Sequence, residues 1–241
     1  MGFPEIAPGD FLGDLIFNKC LDNGLTFIDS DLVVIAQKVV SKAEGAYVEL
    51  KHQNPSVEAL KLSETVGKDP RLIQIILDQS KRVVRAAPGV LIVETVHGFI
   101  CANAGIDQSN VNGSDLVTTL PVDADKSARA ILDTLISHTG VKIGVVISDT
   151  FNRPWREGSI NVAIGVAGFD PIRDLRGTLD DHGRVMMTSK VSLADQVCSA
   201  AQLVMGESGG IPVALVRGVD WDAGDHSSVE LIRPPSRDLF R

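Results

Sequence analysis

The chain has 241 residues, 44% of them hydrophobic and 22% charged, the balance of an ordinary globular protein long enough to bury a substantial core. Its formal charge of -8 excludes a general nucleic-acid binder, since no basic excess is there to neutralise phosphates, while a local phosphate site stays compatible with it. Three well-separated cysteines, Cys20, Cys101 and Cys198, form no CxxC pair, which argues against a zinc centre or disulfide framework and suits a reducing, cytoplasmic setting.

The opening MGFPEIAPGDFLGD has acids and prolines where a signal peptide needs a basic start and an apolar run. No run nears the roughly 18 apolar residues of a membrane span. Phe3 to Ile6 reads as a short extended piece closed by the turn Pro8-Gly9-Asp10. Leu12, Leu15, Ile16 and Cys20 then predict a helix from Asp10 to Asn23, with Asp10 as its cap. Asp31 to Ala36 is a buried strand that runs straight into Gln37–Gly45. That segment is either a solvated loop or a lysine-bearing one placed to meet a phosphate. No GxxxxGK[ST] and no GxGxxG occurs, so neither a P-loop nor a Rossmann nucleotide site is present.

From Pro55 to Lys81 the apolar spacing predicts two helices separated by Gly67-Lys68-Asp69-Pro70. Val83 to Glu94 reads as two strands around Pro88-Gly89, with His97 as a turn residue. Between Ala102 and Asp115 the chain gathers Asp107, Ser109, Asn110 and Asp115 among glycines. Such a segment offers a carboxylate, an amide and bare backbone N–H groups to Mg²⁺ and its phosphates, or else it is a turn-rich connection. A strand over Leu116–Leu120 and an amphipathic helix over Asp123–Thr139 follow.

The stretch Val141 to Gly165 carries the strongest chemical signal. Two apolar runs, Val141–Ile147 and Ile160–Val166, bracket Asp149, Thr150, Arg153, Trp155, Arg156 and Glu157. A plain turn needs Gly, Asn or Pro rather than two arginines beside two acids. Oxygen groups at a strand end suit a hard cation, and guanidinium forks suit phosphate or carboxylate; an internal ion-pair cluster is the alternative. Beyond it, the charges from Asp174 to Arg184 read as a solvated face. Ser189–Met205 is a long helix ending in Gly206-Glu207-Ser208-Gly209-Gly210, where Glu207 is free to face a metal or nucleotide. Pro212–Val216 is the last strand, and the polar, Pro-rich tail from Asp222 to Arg241 is expected to lie across the surface or a partner.

The segments DLVVIAQKVVSKAEG, ANAGIDQSN, SDTFNRPWREGSINVAIG and MGESGGIPVALVRG together resemble the coenzyme F420-0:L-glutamate ligase family, in order from Phe3 to about Gly218. The resemblance is to the stand-alone form, without a following nitroreductase-like domain. It implies a single α+β (mixed α/β) domain over residues 1–241, with mixed sheets packed against helices in two intertwined parts, and a homodimer. It also implies a GTP-dependent ligase that joins L-glutamate to F420-0 in coenzyme F420 biosynthesis, with further γ-linked glutamates after the first. Two divalent ions, Mg²⁺ or Mn²⁺, would assist, with room for a monovalent cation. By the same resemblance Phe3, Pro4, Glu5, Ile6, Gln37, Lys42, Asn110 and the loop Gly206, Glu207, Ser208, Gly209, Gly210 and Ile211 contact GTP. Asp107 and Asp149 hold one metal, and Thr150 and Glu207 a second. Gln37 stands where many relatives have serine or threonine, and ESGG lacks acids found in some of them. Arg153, Arg156 and Glu157 are assigned to catalysis from their position alone. The competing readings are a module that holds a phosphorylated ligand without turnover, and a nucleotide-dependent ligase for another acid.

Overall fold

A computed structural model describes residues 3–108 and 115–239. Helix α1 (Leu12–Asp22) buries Leu12 and Ile16. Asp10 does not cap it, against expectation. Its carboxylate accepts from the Ala7 backbone N–H at 2.8 Å, closing the preceding turn, and the helix starts beyond its reach. Strand β1 (Leu32–Ala36) is apolar throughout because both its faces are covered: Val33 and Ile35 enter one core, Leu32 and Val34 the other. It passes directly into helix α2 (Gln37–Ala43), which corrects the expected loop. The residues α2 buries include the polar Gln37, Ser41 and Lys42, so hydrophobic periodicity could not reveal it.

Strand β2 (Tyr47–Glu49) leads into a second body with its own core. Helix α3 (Val57–Val66) is capped by Ser56 and stopped at Gly67, where φ is 73°. Helix α4 (Pro70–Asp78) takes Asp69 as its cap and Pro70 in its first turn. The helical pattern expected to reach Lys81 ends at Asp78, and strand β3 (Ser80–Ala87) begins with the β-branched pair Val83-Val84 in its interior. Strand β4 (Val90–Thr95) and strand β5 (Ile100–Ala102) complete an antiparallel sheet. Ile73, Ile76, Leu91 and Val93 fill the space between it and the two helices. Strand β6 (Leu116–Thr118) returns the chain by pairing with β2.

Helix α5 (Ala124–Thr139) starts at the cap Asp123 and buries Ala128, Ile131, Leu132 and Leu135. Strands β7 (Gly144–Arg153) and β8 (Arg156–Ala167) form a long antiparallel hairpin. α5 crosses β8 where Gly165 leaves no Cβ; one built there would stand 2.5 Å from the Ala124 backbone. Strand β9 (Ile172–Asp174) pairs with strand β10 (Lys190–Ser192), and the charged stretch between them is exposed, as expected of a solvated face. Val191 lies in β10 rather than in the helix, because helix α6 (Leu193–Met205) starts two residues later. Strand β11 (Val213–Val216) closes the central sheet, whose order is β11-β1-β7-β8 with β1 and β7 parallel and the other pairs antiparallel. α1 and α5 cover one face and α6 the other, which makes the fold α+β with mixed sheets.

The C-terminal segment is fastened to this frame. The Asp125 carboxylate, in the first turn of α5, accepts from Val166 N–H at 2.7 Å, Ser228 N–H at 3.0 Å and the Ser227 hydroxyl at 2.6 Å. Trp221 donates its indole N–H to Ser30 at 2.9 Å. Among the described residues no helix is long and apolar enough to cross a membrane.

Candidate active site

The parallel strands β1 and β7 run side by side as far as Ala36 opposite Ser148. Crevices beyond the carboxyl ends of parallel strands are where open α/β sheets take ligands. Here a cavity of about 580 Å³ opens, between the start of α2, the middle of β7, the end of α6 and the Ala102–Asp107 segment of the second body. That volume suits a nucleotide-sized ligand. Phe3 to Ile6, Gln37, Lys42, Asp107, Asp149, Thr150 and Gly206 to Ile211 all line it. Residues from five separate parts of the chain therefore meet in one place. Asn110 lies outside the described residues.

The walls are held by specific pairs. Lys42, only 6% exposed, reaches Glu5 at 2.6 Å and so ties the N-terminal segment to α2. Gln37 is buried and accepts from the Ser41 hydroxyl at 2.8 Å, a bond within the helix that leaves its amide nitrogen uncommitted there. Asp107 exchanges both backbone hydrogen bonds with Thr118, at 3.1 and 2.9 Å. Its carboxylate meets the Lys38 ammonium at 2.5 Å. Glu207 accepts from the Gln202 side chain at 2.8 Å, and the loop turns at Gly206 with φ 61° and ψ -171°, a conformation open only to glycine.

Asp149 opens onto the cavity, so its residue surface is only partly covered, but protein surrounds its carboxylate. Desolvation first, and then the negative charges of Asp107 and Glu207, push it up to about 7, against the Thr150 backbone N–H and the Lys38 charge. A carboxylate so raised has too little positive charge nearby. The donors around it are all oxygens: Asp107, Asp149, Glu207 and the Thr150 hydroxyl, a set that fits a hard divalent cation such as Mg²⁺ or Mn²⁺. Among the described residues the three acids do not yet converge to within 4.8 Å of one another; the cluster that does, Asp170, His226 and Glu230, lies outside the cavity.

Two further polar lining residues, Asn161 and Lys38, bear on the acids and on Thr150. Asn161, 6% exposed, sits inside the apolar run of β8, where its side-chain oxygen accepts from the Thr150 hydroxyl at 2.8 Å. An amide interrupting a buried strand was the available signal. Lys38 carries no sequence signal that sets it apart from Lys42. Arg153, Arg156 and Glu157 do not line the cavity. The polar segment they belong to is no loop: β7 and β8 stay paired through it, with Arg153 opposite Arg156 and only Pro154-Trp155 between. Arg153 donates to the Glu157 carbonyl at 3.0 Å, and Trp155 is 79% exposed at the tip. The charge density of this stretch lies at the outer end of a hairpin.

The F420-0:Gamma-glutamyl ligase family model matches residues 1–218. The chain belongs to that family. Relatives named Coenzyme F420:L-glutamate ligase include one from Methanothermobacter thermautotrophicus, 44% identical over 100% of this chain and 96% of its own length. Another, from Methanocaldococcus jannaschii, is 41% identical over 88% of this chain and 85% of its own. A third, from Archaeoglobus fulgidus, is 36% identical over 100% and 94%. Family membership thus reaches across both bodies and every wall of the cavity.

Proposed function

We propose that the protein is a coenzyme F420-0:L-glutamate ligase that uses GTP to activate a carboxylate. The observation that carries the reading is the cavity itself, which joins an all-oxygen acid cluster to Lys42, Gln37 and a glycine loop within a chain of this family. A carboxylate is a poor acylating agent. In the proposed sequence the F420-0 carboxylate attacks the γ-phosphorus of GTP, giving an acyl phosphate and GDP. The neutral amine of L-glutamate then attacks that carbonyl, phosphate leaves, and the ammonium proton is lost to solvent. Asp107, Asp149, Thr150 and Glu207 would hold the divalent ions, which neutralise the oxygens of the phosphoryl group being transferred. The rest falls to positioning: Lys42, held by Glu5, offers a fixed point charge, and the Gly206–Ile211 loop brings backbone N–H groups to the nucleotide. Thr150 is oriented by Asn161.

A phospholigand-binding module without turnover is the second reading. Paired carboxylates argue against it, because acids beside an anion weaken binding unless a cation intervenes. The decisive assay incubates the protein with F420-0, L-glutamate, Mg²⁺ and either GTP or ATP. Release of phosphate with GTP, matched by a cofactor heavier by one or more glutamyl residues, is the expected result. Nucleotide binding with no gain in cofactor mass would leave the module reading. Sedimentation of the same sample tests the proposed homodimer.

A further inference from the structure

We infer that Lys38 is a built-in counter-cation that competes with the divalent ion for Asp107. The inference rests on the metal reading above and assigns one residue's part in it. The Lys38 ammonium stands 2.5 Å from Asp107 Oδ2, with the two side chains 24% and 29% exposed, so the pair is largely shielded from solvent. Neither partner is loosely held. Asp107 is fixed from behind by its two backbone bonds with Thr118. Lys38 is the second residue of α2, whose start is set by β1 and whose Gln37 and Lys42 are buried on either side of it in sequence.

The acids alone would repel one another around this cavity. Lys38 supplies a positive charge where the divalent ion would otherwise supply it, and its field reaches Asp149 as well. The geometry pairs one acid of the cluster with an ammonium. Asp107, Asp149 and Glu207 share the cavity without closing to 4.8 Å, while Asp107 is turned to Lys38. A hard cation is held best by carboxylate oxygens that carry no other positive partner, and the ammonium already occupies Asp107 Oδ2. A divalent ion that takes Oδ2 competes with Lys38 for it, and one that takes the other oxygen meets the ammonium's repulsion. Lys38 lowers metal affinity without removing a ligand, and keeps the metal-free site from being forced apart by its own charge.

The test is calorimetric titration of MnCl₂, without nucleotide, into wild type, Lys38→Met, Lys38→Arg and Asp107→Asn proteins and the Lys38→Met/Asp107→Asn double variant. Lys38→Met should bind Mn²⁺ roughly three- to tenfold more tightly than wild type, and Lys38→Arg about as wild type does. In the Asp107→Asn background the Lys38→Met change should give no gain; a gain that persists there would mean a diffuse charge effect and would overturn the assignment to Asp107. Unchanged or weaker Mn²⁺ binding by Lys38→Met would sink the inference alone. Thermal melts in EDTA supply a readout that does not need binding: Lys38→Met should melt lower than wild type, with Mn²⁺ closing the gap. If Lys38→Met does not fold, Lys38→Gln takes its place. Absence of any Mn²⁺ binding by wild type would instead remove the metal reading, and absence of ligation with intact Mn²⁺ binding would remove only the proposed reaction.

Discussion

Asp149 concentrates the site's electrostatics in one side chain. Its folded-state value of about 7 lies above the ordinary carboxylate range near 4, so between those limits the metal-free folded protein holds a proton that the unfolded chain has lost. Stability from this group therefore falls as pH rises from about 4 to about 7, by on the order of 2–4 kcal/mol, and is flat above. Denaturant melts in EDTA at pH 5 and pH 8 should show that fall in wild type and a smaller one in Asp149→Asn. The same substitution should abolish metal-dependent ligation while the fold persists; equal pH slopes in the two proteins would show that the Asp149 carboxyl is not raised. Asn161→Ala should slow turnover more than tenfold, through the loss of Thr150's orientation, with a smaller effect on stability measured by melting. That Asp107, Asp149 and Thr150 line the cavity was legible because acids and a hydroxyl bordering apolar runs have few structural uses. Asn161 and Lys38 were not, since one hides in an apolar run and the other resembles any helix-surface lysine. That Arg153 and Arg156 lie outside the cavity was hidden for a complementary reason: sequence shows which charges are neighbours along the chain, but strand pairing decides where they sit.

Among the elements, those with strong periodicity and ordinary caps were readable, including α3, α4, α5 and the β3–β4 hairpin. The ones that escaped are short or polar. α2 buries glutamine, serine and lysine, and its role is to present the site rather than to fill a core. The C-terminal segment read as a surface tail, and its docking depends on hydrogen bonds that no periodicity reports. Asp125→Ala should cost about 2–4 kcal/mol, because the change strands donors of Ser228, which is 2% exposed, and of Val166 in β8. Urea unfolding measures the loss, and limited proteolysis should cut after residue 220 sooner in the variant. A loss below about 0.5 kcal/mol would mean that Trp221 on Ser30 and the bond from Arg217 to Asp31 hold the segment without Asp125.

At the scale of the molecule, the cavity is where two bodies with separate cores meet, since Ala102–Asp107 comes from one and α2, β7 and α6 from the other. The α+β class and its two parts came with the family resemblance; the residue pattern alone does not mark where one core ends and the other begins, because β2 and β6, which connect them, are each three residues long. A ligand in the cavity must contact both bodies and so bind the folded chain far better than the unfolded one. At a hundredfold excess over its dissociation constant this adds about 2.7 kcal/mol, which for a chain of this size raises the melting temperature by about 5–10 °C. Hydrogen exchange with a non-hydrolysable GTP analogue and Mn²⁺ should then slow at residues 37–42, 102–107 and 206–211 together. Exchange at 153–158 should stay unchanged, because no residue of the hairpin tip lines the cavity. Protection at the tip would return Arg153 and Arg156 to the ligand, through a second copy of the chain, and a loss of coupling between the three cavity segments would mean that the ligand seats on one body alone.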